Sequence, residues 1–113
     1  MPTLFGIPNC DKCRAARQWF AARDIEILFH DLRADGLTKE LVKSWLKQLG
    51  YKALINTRSK TWRELPTDVR EQLSDSSAPE LILKYPTLIK RPLVDTGSSL
   101  LVGYDEAAWV ELA

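Results

Sequence analysis

The order of elements read along this chain is strand, helix, strand, then a run of helices, then strand, strand, helix. That order predicts an α/β fold, a mixed four-stranded sheet with helices packed on it. Three observations carry the prediction. Residues 3–7 (TLFGI) and 25–29 (IEILF) are short runs of β-formers joined by a stretch of helical periodicity, which makes a parallel pair through a right-handed crossover. Residues 93–95 and 100–102 flank Thr96-Gly97-Ser98-Ser99, a turn that reads as an antiparallel hairpin. The chain's 113 residues, 45% of them hydrophobic, show no internal repeat or linker, so one domain, residues 1–113, is expected. A chain of this size removes roughly two-thirds of its unfolded surface from water, enough for one core.

Each element has a local reason. The first strand ends at Pro8, where a turn begins. From residue 11 to 23, Cys13, Ala16, Trp19, Phe20 and Ala22 recur at helical spacing, with Arg14, Arg17, Gln18 and Arg23 mostly on the other side. The second strand, 25–29, runs out through His30 to a turn at Gly36; a single histidine there reads as structural. Thr38 is a natural N-cap for a second helix, Leu41, Val42, Trp45, Leu46 and Leu49 form its apolar stripe, and Gly50 stops it. Residues 51–63 read as irregular. Residues 66–73 and 79–85 are two short helices, each opened by a proline, with SDSS as the loop between them. A helix over 105–112 closes the chain. Trp19, Trp45 and Trp109 fall on apolar helix faces and are expected in the core, whereas Trp62 either lines a cleft or packs.

Charge and composition exclude several classes of function. Sixteen basic residues against fifteen acidic ones leave a net charge of +1, which is not the excess that neutralises a row of phosphates. Nucleic acid is not an expected partner. The opening MPTLFGIPNCDKC is too polar for a signal-peptide core, and no apolar run approaches the ~20 residues of a membrane span. A cytoplasmic protein with no membrane partner is expected, in a compartment that keeps thiols reduced. The two cysteines are Cys10 and Cys13. A structural zinc site wants four ligands and His30 alone does not complete them, so no metal is expected and the pair reads as redox or nucleophilic.

Cys10 stands where the first strand has ended and the first helix begins. Unpaired backbone N–H groups and the positive end of the helix dipole favour its thiolate, the nucleophilic form. Lys12 and Arg14 add to this and Asp11 opposes it. Cys13, nearly one turn on, shares about the same face and reads either as a resolving thiol or as a small core residue. A second constellation is basic: Arg58, Lys60 and Arg63, then Lys90 and Arg91 immediately before Pro92. It reads either as an anion site, for which the arginine fork is suited, or as a solvated loop. Pro92, preceding a strand, is a candidate cis-proline.

Taken together, GIPNCDKCRAARQWF, FHDLRADGL, INTRSKTWREL, PTLIKRPLVD and LLVGYDE make the chain resemble the ArsC/Spx, or arsenate reductase-like, family over nearly its whole length. The resemblance implies a thioredoxin-like fold with a helical insertion. It is greatest to the short YffB-type branch, regarded as glutathione-dependent thiol reductases, which share the GI-x-NCD, FHD-x-R-x-DGL and NTR-x-x-TWR-x-L segments. It implies Cys10 as nucleophile, anion or glutathione contacts at Arg58 and Arg91 with Lys90 beside them, and a cis bond at Arg91-Pro92. No bound cofactor is implied; glutathione is the co-substrate, and glutaredoxin a further partner. Two departures qualify the likeness. Arsenate reductases of the family carry a further arginine about where this chain has Gly103-Tyr104 and a histidine where it has FGI, so arsenate is not the expected substrate. Cys13 is usual in Spx-type regulators rather than in the YffB branch. The alternative implied is therefore a redox-sensing regulator that binds the RNA polymerase α-subunit through a Cys10/Cys13 switch.

Overall fold

A computed structural model of the chain describes residues 1–112. In chain order its elements are β1 (Thr3–Gly6), α1 (Asp11–Ala22), β2 (Leu28–Asp31), α2 (Lys39–Leu49), α3 (Tyr51–Leu54), α4 (Lys60–Glu64), α5 (Thr67–Glu71), α6 (Ala78–Lys84), β3 (Leu93–Asp95), β4 (Leu100–Val102) and α7 (Glu106–Trp109). Short 3-10 turns follow α6 (Pro86–Leu88) and α7 (Val110–Leu112). The chain divides into two compact units, residues 1–35 with 91–112, and residues 36–90.

The first unit holds the sheet, in the order β2-β1-β3-β4. β1 and β2 are parallel, with Phe5 opposite His30, while β1–β3 and β3–β4 are antiparallel. Leu4 and Val94 are cross-strand partners whose side chains share the face covered by α1. There they meet Ala16, Trp19, Phe20 and Trp109, with Ile25, Ile27 and Phe29 packed alongside. Trp19 and Trp109 lie 5.5 Å apart, and the Trp19 indole N–H donates to Glu106 Oε1 at 3.0 Å, which holds α7 against α1. Each such fully buried large side chain contributes about 1.5–3 kcal/mol.

The second unit is helical and relies on caps. Thr38 Oγ1 accepts the Leu41 N–H at 3.2 Å, and Gly50, at φ 79°, ends α2 in a conformation that disfavours any side chain. α2 packs on α6, with Lys39 and Glu80 3.6 Å apart at one end. An isolated bridge joins Ile55 to Ile89, flanked by Asn56 N–H to the Leu88 carbonyl and Lys90 N–H to the Leu54 carbonyl, each 2.8 Å.

Several boundaries differ from the sequence reading. The second strand is Leu28–Asp31, not 25–29, and His30 lies within it. The cause is the exit from α1: Asp24 adopts φ 57° and the Ile25 N–H turns back to the Phe20 carbonyl, so pairing starts only where Leu28 N–H reaches the Pro2 carbonyl at 2.9 Å. The alternation in IEILF still marks the core-facing side, since Ile25, Ile27 and Phe29 are the residues that pack inward. Residues 51–63 are not irregular throughout; they contain α3 and the start of α4, whose N-cap Ser59 accepts the Trp62 N–H at 3.1 Å. Pro66 caps α5 from outside rather than occupying its first turn, and the closing helix is a single α turn continued as 3-10. Trp19, Trp45 and Trp109 are buried as expected. Among the described residues no helix is long and apolar enough to cross a membrane.

Candidate functional site: a cysteine pair at the head of the first helix

β1 delivers the chain through Ile7, Pro8 and Asn9 to Cys10, which is extended (φ −142°, ψ 122°) and stands as the N-cap of α1. Its carbonyl accepts the Arg14 N–H at 2.9 Å, the first helical bond. The thiol therefore occupies the position from which a serine or aspartate side chain would cap the helix. Burial pushes the Cys10 thiol up, but the Cys13 backbone N–H, the Cys13 thiol and the Arg91 guanidinium together outweigh it and hold Cys10 below the ordinary thiol value. Asp11, whose charge opposes a thiolate, is itself engaged by the Arg14 guanidinium. Both cysteines are free thiols.

Cys13 has a different environment in the same turn. It is fully buried, and burial together with the neighbouring Cys10 pushes its thiol up to about 11, against the lowering effects of the Ile7 backbone and Arg91. Its room is provided by Gly6. A Cβ placed on Gly6 would stand 2.5 Å from Cys13 Sγ, closer than real atoms approach. Sequence reasoning passed over Gly6, although a glycine inside a strand is the signal for such a close backbone approach.

Arg91 reaches the pair from the entry to β3. The Arg91–Pro92 bond is cis, and the buried Pro92 offers its carbonyl to the Gly103 N–H at 2.9 Å, tying this turn to the end of β4. The structure thus brings Cys10, Cys13 and Arg91 together. Arg58 and Lys90 belong to the helical unit. Arg58 is exposed, its backbone N–H held by Asn56 Oδ1 at 3.0 Å, and Lys90 is half-buried beside the Ile55–Ile89 bridge. Among the described residues neither makes an ion pair, whereas Lys60 lies 3.8 Å from Glu64. Trp62 lines a cleft of about 350 Å³ with Tyr51, Ile55 and Arg70. No group of residues able to hold a metal ion is found among the described residues.

The ArsC family matches over residues 5–112. A solved structure of a YffB protein superposes with a TM-score of 0.93 at 32% identity, covering 98% of this chain and 97% of that one. The solution structure of an arsenate reductase (ArsC) related protein from Brucella melitensis gives a TM-score of 0.79 at 37% identity, with 98% and 92% covered. The global transcriptional regulator Spx of Streptococcus pyogenes is 34% identical over 108 residues, which are 94% of this chain and 80% of that protein.

Proposed function

The chain belongs to the ArsC family and has its thioredoxin-like α/β fold, and on that premise we propose that it is a thiol–disulfide oxidoreductase with Cys10 as nucleophile and glutathione as co-substrate. The observation that carries this reading is the setting of Cys10: a half-buried sulfur at a helix N-terminus, held below the ordinary thiol value with Arg91 beside it. The Cys10 thiolate attacks one sulfur of a substrate disulfide. The S–S bond breaks, a mixed disulfide forms on Cys10, and the departing sulfur leaves as a thiolate that takes a proton from water. A second thiol then attacks the Cys10 sulfur, releases the remaining substrate half as a thiol and becomes disulfide-bonded to Cys10; glutathione reduces that disulfide in turn and frees the Cys10 thiolate. When both reducing thiols are glutathione, one disulfide and two glutathiones become two thiols and one oxidised glutathione.

Cys13 is suited to be the second thiol in a timed way. While Cys10 is a thiolate, its charge helps to raise the Cys13 pKa; once Cys10 is in a mixed disulfide that contribution is gone, while the lowering effect of Arg91 persists. Burial, the larger cause, remains, so Cys13 resolves an intermediate more readily than it starts a reaction. The family resemblance assigns anion or glutathione contacts to Arg58 and Arg91, and Lys90, next to Arg91 in sequence, adds a third cation for the carboxylates of glutathione, groups that arginine binds in bidentate fashion. A cytoplasmic location fits a reductant of this kind.

The likeness to Spx favours a second reading, in which Cys10–Cys13 oxidation governs binding to the α-subunit of RNA polymerase. One experiment separates them. Wild type, Cys10→Ser and Cys13→Ser are treated with oxidised glutathione, weighed intact, and assayed for binding to the carboxy-terminal domain of the polymerase α-subunit. The oxidoreductase reading expects glutathione on Cys10 in Cys13→Ser, none at that position in Cys10→Ser, and turnover with reduced glutathione. Tight, redox-dependent binding to the polymerase without thiol transfer would instead establish the regulator.

A further inference from the structure

β2 is an edge strand, paired with β1 on one side only. In a β-strand the N–H and C=O of one residue point to the same neighbour, and successive residues alternate sides. Leu28 and Leu32 donate toward β1, to the carbonyls of Pro2 and Gly6 at 2.9 Å each. The backbone groups of Phe29 and Asp31, of the other parity, and the Ile27 carbonyl therefore face the open side. Those of Asp31 are consumed locally: its N–H donates to Asp35 Oδ2 at 2.8 Å and its carbonyl accepts the Asp35 N–H at 2.9 Å. Natural folds guard open edges with such covers, because an unguarded edge is a template for another strand. Among the described residues nothing equivalent covers Ile27 and Phe29.

Beside that uncovered stretch lies a groove of about 520 Å³ between it and α1, lined by Arg14, Arg17, Gln18, Ile25, Ile27 and Phe29. Its floor is apolar and its wall is cationic, with the Arg17 guanidinium 4.2 Å above the centre of the Phe29 ring. On the opposite face of the strand Leu28 is 57% exposed, a large apolar side chain with no cover.

We propose that the open edge of β2 and this groove dock an extended segment of a partner protein in which acidic and apolar residues alternate. Strand addition supplies main-chain bonds at Ile27 and Phe29, and the pleat then sends alternate side chains to opposite faces. Those on the α1 face meet Arg17, which selects carboxylates, with Arg14 and its Asp11 partner beyond it; those between them lie beside Leu28, which selects apolar residues. A second copy of this chain is a worse occupant, since antiparallel pairing of two β2 edges would set both pairs of α1 arginines on one face, like charge against like charge. Arg17, unlike Arg14, takes no part in the setting of Cys10.

The test uses the full chain and a fluorescent peptide of alternating Glu and Val, with two control peptides: one with Lys in place of Glu, and one N-methylated on the amides of one edge. The expected result is saturable binding of the Glu/Val peptide, weakened about tenfold or more by Arg17→Glu with the circular dichroism unchanged. Neither control should bind, and exchange of the Phe29 amide should slow on binding. The proposal is overturned if the Glu/Val peptide does not saturate up to about 1 mM. It is equally overturned if the Lys or N-methylated peptide binds as well, or if the Phe29 amide is unaffected.

Discussion

The two units place their candidate functional groups by different means. In the sheet unit Cys10, Cys13 and Arg91 come from segments nearly the whole chain apart and are fixed by the ladder, by Gly6 and by the turn at Pro92. In the helical unit Arg58 and Lys90 are held mainly through their backbones, by the Asn56 turn and the Ile55–Ile89 bridge, and their charged ends carry no ion pair among the described residues. Chemistry that depends on a pKa needs fixed neighbours, because Coulomb and hydrogen-bond effects fall steeply with distance. Capture of a flexible anionic co-substrate does not, and long exposed side chains suffice for it.

That contrast can be broken by substitution. Arg58→Ala, if this arginine binds a glutathione carboxylate, removes a charge-assisted hydrogen bond of about 1.5–3 kcal/mol. Steady-state kinetics should show a rise of about tenfold or more in the glutathione concentration needed, with the pH midpoint of Cys10 reactivity unchanged; a shifted midpoint would erase the distinction between the units. Gly6→Ala tests the rigid side. The added methyl must displace the Cys13 sulfur, and overpacking of this kind costs about 1–3 kcal/mol, read from denaturant midpoints. Pairing it with Cys13→Ala should recover most of that loss, and a strictly additive double variant would show that the two positions do not meet.

Smaller effects sharpen the picture. Ser59→Ala removes the cap on α4 and should cost about 1 kcal/mol, with thiol reactivity unchanged. Cys13 gives a pH signature. Its folded pKa, about 11, lies above the ~8.5 of an unfolded thiol, so it contributes stability that is full below the lower value and lost as pH rises through the upper one. Wild type should therefore lose more stability than Cys13→Ala across that interval, as measured by urea unfolding at each pH.

What the sequence made legible follows the same division. The parallel pair, the hairpin, α1, α2 with Thr38 and Gly50, and the buried Trp19, Trp45 and Trp109 all rest on periodicity and caps, which are local signals. Cys10 was legible because its position at a strand-to-helix junction is itself local. Less visible was anything decided at a distance. The start of β2 depends on where Pro2 offers a carbonyl, and the fit of Cys13 against Gly6 depends on β1 passing beneath α1. The short helices of 51–63 were hidden for another reason: at four or five residues each, they are too brief to show a period.

The central claim is that Cys10 is the activated sulfur and that Arg91, within the same unit, helps to activate it. Alkylation by iodoacetamide as a function of pH, followed on Cys13→Ser, Cys13→Ser/Arg91→Ala and Cys13→Ser/Arg58→Ala, tests it most directly. A single reactive thiol is expected, with a midpoint below the ~8.5 of a free cysteine, moved upward by Arg91→Ala and unmoved by Arg58→Ala. A midpoint at or above that of a free cysteine, or one indifferent to the loss of Arg91, would contradict it.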